Sequence, residues 1–523
     1  MGNQLAALTR AAACIALCAG GLLAQSNLDE TVQRTLREFD VPGIAVGVIQ
    51  DGKVIVAKGY GVRKLGDPAA VTPRTLFGIA SNTKAFTSAA LAILVDEKKI
   101  SWDQRVVDIV PSFQMSDPYV TREMRVRDLL VHRSGLGLGA GDLMLFPESD
   151  LSAADLLRRL RYVPLATSFR SKYAYDNILY VAAGAVIEQA SGKSWGAFLK
   201  ERIFEPLGMR RTYAHVTDVP AGEDLAFPHA PDNGKLKVVA HTRLDPAAPA
   251  GAIQSSVEDM LKWVAAQLAE GQYAGGRLFS AEQSREMWTP HIFVPISAAA
   301  PPELAALKPN FQTYALGWGV SDYRGRKVVS HTGGLNGMVT RVTMIPDLKL
   351  GVVVFTNQEN GAAFQAVTMT ILDHYLGAPA TDWVTAYSTV RKRQLSDARA
   401  GVAKAAAARA ADSRTSLALA KYAGRYRDPW YGDVVVEERN GGLWMRFSHS
   451  PQLAGPMEHF QYDTFIVRWA DRTLDADAYV TFSLSADGSI ERVKMKAISP
   501  TTDFSYDFHD LALTPAPKDA PAY

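Results

Sequence analysis

Apolar residues along this chain follow two periods, one typical of strands and one typical of helices. Near the start, the runs Ile44–Ile49 and Val54–Gly59 flank an Asp-Gly pair, which predicts a β-hairpin. The pattern that follows is mainly helical, for example at Lys84–Glu97 and Ile178–Ala190. Further strand candidates come late, at 327–330, 340–345 and 350–356. We therefore expect one sheet that the chain leaves and later rejoins.

The pattern changes beyond residue 388. Residues 389–416 are rich in Ala, Lys and Arg, which predicts a helical connector with little apolar surface to bury. Alternation of apolar and polar residues then returns in five short segments: 434–437, 443–447, 464–469, 479–484 and 492–496. Gly-containing turns separate them, so we expect a small antiparallel barrel or sandwich of about 100 residues. The predicted units are a main domain at 25–388, the connector at 389–416, a β domain at 417–513 and a frayed tail at 514–523.

Length and composition fit two soluble globular domains. The chain has 523 residues, of which 47% are hydrophobic and 21% are charged, and its formal net charge is +2. This charge gives no sign of nucleic-acid binding, which needs clustered Lys and Arg on one face. Beyond the N-terminus, no uncharged segment reaches the length of a membrane span.

The N-terminus has the pattern of a signal peptide. Arg10 precedes an apolar stretch that ends at Ala24, a residue type suited to cleavage. We expect residues 1–24 to be removed and the protein to be periplasmic or secreted; a buried N-terminal helix is the alternative. Both cysteines of the chain, Cys14 and Cys18, lie in this segment. Disulfides, thiolate chemistry and Cys-ligated zinc are therefore not expected in the mature protein.

Ser81 is the first candidate for chemistry. It opens an apolar helix, and Lys84 follows three residues later, one turn away on the same face. Free N–H groups at a helix start favour a developing oxyanion. A lysine in a desolvated cleft can lose its proton and act as a base or relay. An ordinary N-cap serine followed by a surface lysine is the alternative, because S-x-x-K alone also occurs by chance.

Two later segments add candidates. Near two cations the pKa of Tyr175 could fall and give a phenolate base, while the Asn177 amide could hold both a lysine and a substrate carbonyl. His331 begins a His-Thr-Gly-Gly segment. There Gly333 and Gly334 leave room for a substrate along a strand edge, and the Gly334 N–H is a second oxyanion donor. Taken singly, each segment also fits a packing role, as core tyrosines or as a Gly-rich turn beside a structural histidine.

The three segments in this order resemble the serine β-lactamases and penicillin-binding proteins. The Y-x-N form at Tyr175 is similar to the class C branch and its relatives: family VIII carboxylesterases, D-alanyl-D-alanine carboxypeptidases and D-aminopeptidases. The likeness covers about Leu28 to Leu376 and includes the stretches 129–136, 206–209, 249–251 and 316–319. It implies an α/β (α+β) β-lactamase/transpeptidase-like fold, with an antiparallel sheet flanked by helices and a helical lobe. The segment 422–426 resembles the start of a lipocalin-like β-barrel that follows some of these hydrolases.

The resemblance also implies roles. Ser81 would attack the carbonyl and form an acyl-enzyme, while Lys84 and Tyr175 pass the proton and Tyr175 serves as the base that activates the deacylating water. The N–H groups of Ser81 and Gly334 would form the oxyanion hole. The implied substrate-binding residues are Asn177, His331, Gly333 and Gly334.

Two departures from the family pattern bear on the substrate. His331 replaces the lysine usual in true β-lactamases, and a largely neutral imidazole grips a carboxylate less firmly. Asp176 places a negative charge near Lys84 and Tyr175. Both favour a serine hydrolase for small esters, amides or D-amino-acid peptides. A true β-lactamase or D-alanyl-D-alanine carboxypeptidase is the alternative within the family, and a catalytically idle ligand-binding protein is the alternative outside it.

Other motifs in the chain are weaker. Ser194 lies in a G-x-S-x-G match, but a helical run precedes it, so we expect Gly192 to be a C-cap and Ser194 an N-cap. The histidine spacing predicts no metal site, and no phosphate or dinucleotide motif indicates a cofactor. Gly135–Gly139 is expected to be a flexible loop near the active-site rim. The expected partner is a small molecule or short peptide; the sequence does not fix the oligomeric state.

Overall fold

The computed structural model describes residues 27–410 and 412–517. The expected signal peptide at 1–24 and the end of the expected tail, 518–523, lie outside the described residues. The strands of the main domain are β1 (Gly43–Gln50), β2 (Lys53–Gly61), β3 (Phe77–Gly78), β4 (His229–Asp232), β5 (Lys235–Val238), β6 (Gln254–Ser255), β7 (Gln272–Tyr273), β8 (Gly276–Arg277), β9 (Ile292–Phe293), β10 (Gln312–Tyr314), β11 (Gly319–Tyr323), β12 (Arg326–Leu335), β13 (Met338–Ile345) and β14 (Leu350–Thr356).

One antiparallel sheet joins strands from both ends of the main domain. Its order is β2-β1-β14-β13-β12-β11-β10-β9. The register places Val46 of β1 opposite Val354 of β14, so the N-terminal hairpin adds directly to the late strands. The prediction that the chain leaves this sheet and rejoins it is confirmed.

Helices cover both faces of this sheet and form a helical lobe beside it. They are α1 (residues 27–38), α2 (Thr83–Asp96), α3 (Pro118–Glu123), α4 (Ala153–Arg159), α5 (Ile178–Ser191), α6 (Trp195–Leu199), α7 (Ala248–Gly251), α8 (Val257–Leu268), α9 (Ala281–Met287), α10 (Gly361–Tyr375) and α11 (Trp383–Ala407). Alternate residues of β1 point to opposite sides, as a strand requires. Ala45 joins a core with α2 and α8, whereas Val46 joins a second core with α1, α10 and α11.

Helix α2 is the central element of the helical lobe. Every residue from Thr83 to Leu94 is buried, and Phe86 stacks on Trp263 of α8 with ring centroids 4.0 Å apart. A helix that is apolar all round is a core helix. Such burial holds the start of α2 firmly against the sheet, and Ser81 lies in the turn that leads into it.

The C-terminal domain is a nearly closed eight-stranded barrel. Its strands are β15 (Gly424–Asp428), β16 (Gly432–Arg439), β17 (Gly442–Phe447), β18 (Ala454–Gln461), β19 (Thr464–Val467), β20 (Ala478–Leu484), β21 (Ile490–Ala497) and β22 (Thr514–Pro515). Their order is β21-β20-β19-β18-β17-β16-β15-β22, and a bridge from Val493 to Leu513 brings the two ends together. The predicted fold class is confirmed in both parts. Strands β15, β18 and β22 were not predicted, and Pro456 interrupts the alternation in β18. The tail was predicted to be frayed from residue 514, but it begins with β22, where Thr514 pairs with Arg427 of β15.

The connector helix begins earlier than its predicted start at residue 389. Helix α11 starts at Trp383 and packs Trp383 and Val384 into the main domain, whereas within 389–407 only Val390 and Ala398 are buried. No helix in the described parts of the chain, 27–410 and 412–517, is long and apolar enough to cross a membrane.

Candidate active site

Ser81 lies in a 3-10 turn, Ala80–Asn82, immediately before α2. The residue before it, Ala80, has a φ of +48°. A non-glycine residue in the left-handed region costs about 1–3 kcal/mol and persists where the surroundings fix it. Here the surroundings include β12, because a Cβ on Gly333 would lie only 2.6 Å from Thr340 Oγ1 and closer still to the Ile79 carbonyl oxygen. The sheet therefore presses directly on the turn that carries Ser81.

Lys84 is completely buried and has three neighbours for its amine. Its Nζ lies 2.7 Å from Asn177 Oδ1, 2.9 Å from the Ala250 carbonyl oxygen and 3.0 Å from Ser81 Oγ. The first two are carbonyl oxygens and can only accept. A neutral amine has two hydrogens, so donating both to these oxygens leaves its lone pair directed at the Ser81 hydroxyl.

The protonation of Lys84 is set mainly by burial. Desolvation lowers its pKa to about 7, against the opposing charges of Asp142 and Asp176. The neutral amine is thus well populated near neutral pH. This is the condition in which Lys84 can take a proton from Ser81.

Tyr175 departs from its expected protonation state. Its ring lies 4.9 Å from Lys84 Nζ, but burial raises the pKa of its hydroxyl well above 10, and a hydrogen bond with Ser81 only partly opposes this. The expected lowering of this pKa is wrong, because desolvation disfavours the phenolate. Tyr175 is therefore a neutral hydroxyl beside Ser81, suited to passing a proton on.

Asn177 connects Lys84 to a residue that the sequence did not indicate. Its Nδ2 donates to Asp142 Oδ2 at 2.8 Å while its Oδ1 accepts from Lys84. Asp142 is completely buried, and desolvation raises its pKa to about 8. In the structure the oxygen of the Asn177 amide faces Lys84 and its nitrogen faces Asp142.

His331 faces the site from β12 and is 7% exposed. Its Nε2 lies 2.7 Å from the Tyr314 hydroxyl, and its Nδ1 lies 2.6 Å from the Thr332 carbonyl oxygen. Burial and the charge of Lys84 lower its pKa to about 3, so the ring is neutral. Gly334 is exposed on the same strand, whereas Gly333 is buried against the Ser81 turn. Gly333 is thus placed for packing rather than for substrate contact.

Asp176 and His132 form a buried pair beneath the tyrosines. The Asp176 backbone N–H donates to His132 Nδ1 at 3.2 Å, and the His132 ring lies 4.2 Å from the Tyr175 ring. The Asp176 carboxylate accepts from Ser134 Oγ at 3.3 Å. Its side chain therefore points toward His132, while its charge still favours the ammonium form of Lys84.

The Gly-rich loop lies beside the site, as expected. The Gly139 N–H donates to the Tyr175 carbonyl oxygen at 2.8 Å. Within this loop Leu136 is 1% exposed, whereas Leu138 is 50% exposed. The structure thus brings Ser81, Lys84, Tyr175 and Asn177 together and adds Asp142, Ala250 and Tyr314 to them.

Residues 28–376 match the family model described as Beta-lactamase, more than half of the chain. The chain belongs to the β-lactamase family. A second model, described as a domain of unknown function (DUF3471), matches residues 408–515 of this β-lactamase-family protein. The resemblance inferred from the three motifs is therefore confirmed.

Several known proteins are similar to this β-lactamase-family protein. Unguisins hydrolase ungD of Aspergillus violaceofuscus is 28% identical over 88% of this chain and 86% of its own length. Unguisins hydrolase ungD' of Aspergillus campestris is 30% identical over 79% and 78%. The solved structure of an octameric penicillin-binding protein homologue from Pyrococcus abyssi has a TM-score of 0.59 at 24% identity and covers 90% of this chain and 98% of its own. That structural likeness establishes the fold.

Ser194, the competing serine of this β-lactamase-family protein, is an N-cap. Gly192 ends α5 with a φ of +71°, and Ser194 Oγ accepts from the Ala197 N–H at the start of α6. A nucleophile elbow would need a strand before the serine. The prediction that this motif is a pair of helix caps is confirmed.

Proposed function

We propose that this protein is a serine hydrolase that forms an acyl-enzyme at Ser81 and acts on small esters, amides or D-amino-acid peptides. The observation that carries the proposal is the position of the Lys84 amine, 2.7 and 2.9 Å from two carbonyl oxygens and 3.0 Å from Ser81 Oγ. A neutral amine that donates to both carbonyl oxygens directs its lone pair at the Ser81 hydroxyl. A nucleophile 3.0 Å from a buried neutral base is the arrangement that activates a serine.

The proposed reaction follows from these positions. Lys84 takes the Ser81 proton as Oγ attacks the substrate carbonyl, and the N–H groups of Ser81 and Gly334 stabilise the oxyanion. Tyr175 passes the proton to the leaving alkoxide or amine, because its hydroxyl is neutral and lies beside Ser81. A water molecule then enters and attacks the acyl ester. Its proton passes through the same groups to Ser81 Oγ, so the ester is cleaved and Ser81 is restored.

The neutral ring of His331 supports esters and amides over penicillins. Its two nitrogens face Tyr314 and Thr332, so it offers no cation for the carboxylate of a β-lactam. The two Aspergillus relatives are both named hydrolases, which supports hydrolysis as the reaction class.

The test compares a short p-nitrophenyl ester with a chromogenic cephalosporin. We expect ester turnover that falls by several orders of magnitude in Ser81→Ala, because the nucleophile is lost, and little cephalosporin turnover. Mass spectrometry of the quenched enzyme should place the acyl group on Ser81. The matched control is Ser194→Ala, which removes only a helix cap and should keep full turnover.

Two other outcomes of these assays would change the assignment. Ester turnover that survives Ser81→Ala but is lost in Ser194→Ala would contradict the proposed nucleophile. Fast cephalosporin hydrolysis that depends on Ser81 would reassign the protein as a true β-lactamase.

A further inference from the structure

A loop of the C-terminal domain reaches the active site of the main domain. We call residues 499–510 the barrel loop; it follows β21 and ends in the 3-10 turn Phe508–Asp510. The Phe504 ring meets the Tyr175 ring edge-on, with centroids 5.9 Å apart. The Phe504 carbonyl oxygen packs so closely on Gly139 that a Cβ there would lie 2.7 Å from it. Phe504 is still 39% exposed, so its ring borders both Tyr175 and solvent.

Asp507 of the barrel loop caps a turn of the main domain. Its Oδ2 accepts from the Gly141 N–H at 2.7 Å, and its Oδ1 accepts from the Leu143 N–H at 3.0 Å. These donors begin the 3-10 turn Asp142–Met144, whose first N–H groups have no partner within the turn. The carboxyl group is completely buried. A side chain from one domain thus supplies both acceptors that fix a turn in the other.

The capped turn is the one that carries Asp142. From there the contacts continue through Asn177 Nδ2 at 2.8 Å and Asn177 Oδ1 to Lys84 Nζ at 2.7 Å, and Lys84 Nζ lies 3.0 Å from Ser81 Oγ. Asp507, Asp142, Asn177 and Lys84 are each at most 5% exposed. A buried path of hydrogen bonds therefore links the barrel to the nucleophile.

The barrel is held in this position at a second place. Arg159 of α4 is 7% exposed, and its Nη1 donates to the carbonyl oxygens of Trp430 and Tyr431 at 3.0 and 2.7 Å. Aromatic side chains fill the barrel interior, including Phe447, Phe465, Trp469, Phe482 and Phe508. With its interior packed in this way, the barrel approaches the active site through the barrel loop.

We propose that the barrel loop completes the active site: Asp507 is a positioning residue that acts through Asp142 and Asn177 on Lys84, and Phe504 lines the substrate entrance. The proposal rests on the proposed function. It gives the C-terminal domain a role in the rate of the reaction and in the choice of acyl group.

The test uses the full chain and the isosteric change Asp507→Asn. An amide offers one acceptor where two N–H donors converge, so the turn at Asp142 should shift and kcat for the ester should fall about 100-fold. The matched control is Asp433→Asn. Asp433 is a buried carboxylate that pairs with Arg427, a residue of the same C-terminal domain. This variant should keep kcat even where it lowers the melting temperature.

Two readouts separate positioning from a structural effect. In a double-mutant cycle with Asp142→Ala, Asp507→Asn should cause little further loss, because both changes break one path. Hydrogen exchange of the amides in 139–145 should rise in Asp507→Asn and stay unchanged in Asp433→Asn. The role of Asp507 would be overturned if the losses of kcat in Asp507→Asn and Asp142→Ala multiplied in the double variant. Equal hydrogen exchange of 139–145 in Asp507→Asn and Asp433→Asn would also overturn it.

A second variant keeps the proposal testable should Asp507→Asn fail to fold. Phe504→Ala removes a partly exposed ring, and we expect the ratio of kcat/KM for long and short acyl esters to change at least about fivefold. An unchanged ratio would overturn the role of Phe504. Failure of the proposed function is a distinct result: the wild-type chain would lack Ser81-dependent turnover, and hydrogen exchange would still decide the role of Asp507.

Discussion

Lys84 is the residue whose charge state controls the site, and this gives a prediction for pH dependence. With its pKa lowered to about 7 by burial, the amine becomes neutral as pH rises, so kcat/KM for the ester should rise through about pH 7. The Asp176 charge favours the ammonium form. Asp176→Asn should therefore move this limb of the pH profile, the rise of kcat/KM, to lower pH by about one unit. The measurement is kcat/KM from pH 5 to 9, with Asp373→Asn, which pairs with Arg324, as the control.

The same profile distinguishes Lys84 from Tyr175 as the base. The pKa of Tyr175 is raised by burial, so Tyr175→Phe should lower kcat and still show the limb near pH 7. Loss of the limb in that variant would assign it to the tyrosine and contradict the assignment to Lys84.

Residue-scale prediction from sequence succeeded where spacing carries the information. Ser81 and Lys84 are one helical turn apart, so their contact follows from local geometry. Asp142 was missed because it reaches the site through a hydrogen bond to Asn177, 35 positions away, from a loop with no periodic pattern. Tyr175 shows a second limit: the sequence indicated cations that could lower its pKa, but the burial that raises it depends on the whole fold.

At the scale of elements, continuous apolar runs predicted the strands that are buried on both faces. Ile44–Ile49 and Leu350–Thr356 were predicted and lie in β1 and β14. The short strands β9 and β10 at one end of the sheet and the proline-containing β18 were not predicted, because short or interrupted segments carry too little alternation. Sequence also gave Gly333 a substrate-facing role, whereas the structure shows that the close approach of β12 to the Ser81 turn requires it.

That close approach predicts the effect of Gly333→Ala. The added Cβ would lie 2.6 Å from Thr340 Oγ1 and 2.9 Å from Ala80 Cβ, so β12 or the Ser81 turn must move. We expect a loss of about 1–3 kcal/mol in the free energy of unfolding, together with a large fall in kcat. Gly334→Ala is the stability control, since its Cβ would approach nothing closer than 3.9 Å. Equal melting temperatures for Gly333→Ala and Gly334→Ala would show that β12 can shift without a loss of stability.

At the scale of the whole molecule, the two domains could be predicted but their docking could not. Alternation in 434–496 indicates a separate β domain, yet no local pattern tells which surface the barrel loop meets. In the structure one continuous core includes Leu143 of the main domain and Trp430 of the barrel. Docking of the barrel is therefore part of the fold. The free energy of docking should be measurable at a contact that lies outside the path of hydrogen bonds from Asp507 to Ser81.

Arg159 is that contact, and Arg159→Leu is the last prediction. The change leaves the carbonyl oxygens of Trp430 and Tyr431 without their buried donor, at about 1–3 kcal/mol for each lost hydrogen bond. The matched control is Arg158→Leu, because Arg158 is exposed and pairs with Asp155 in its own helix, where an ion pair contributes about 0–1 kcal/mol. Small-angle scattering should give a larger radius of gyration for Arg159→Leu alone. Ester turnover should fall with it, since an undocked barrel withdraws Asp507 from Gly141 and Leu143. A chain that expands while keeping full turnover would separate docking from catalysis, and it would leave the path through Asp142 without a function.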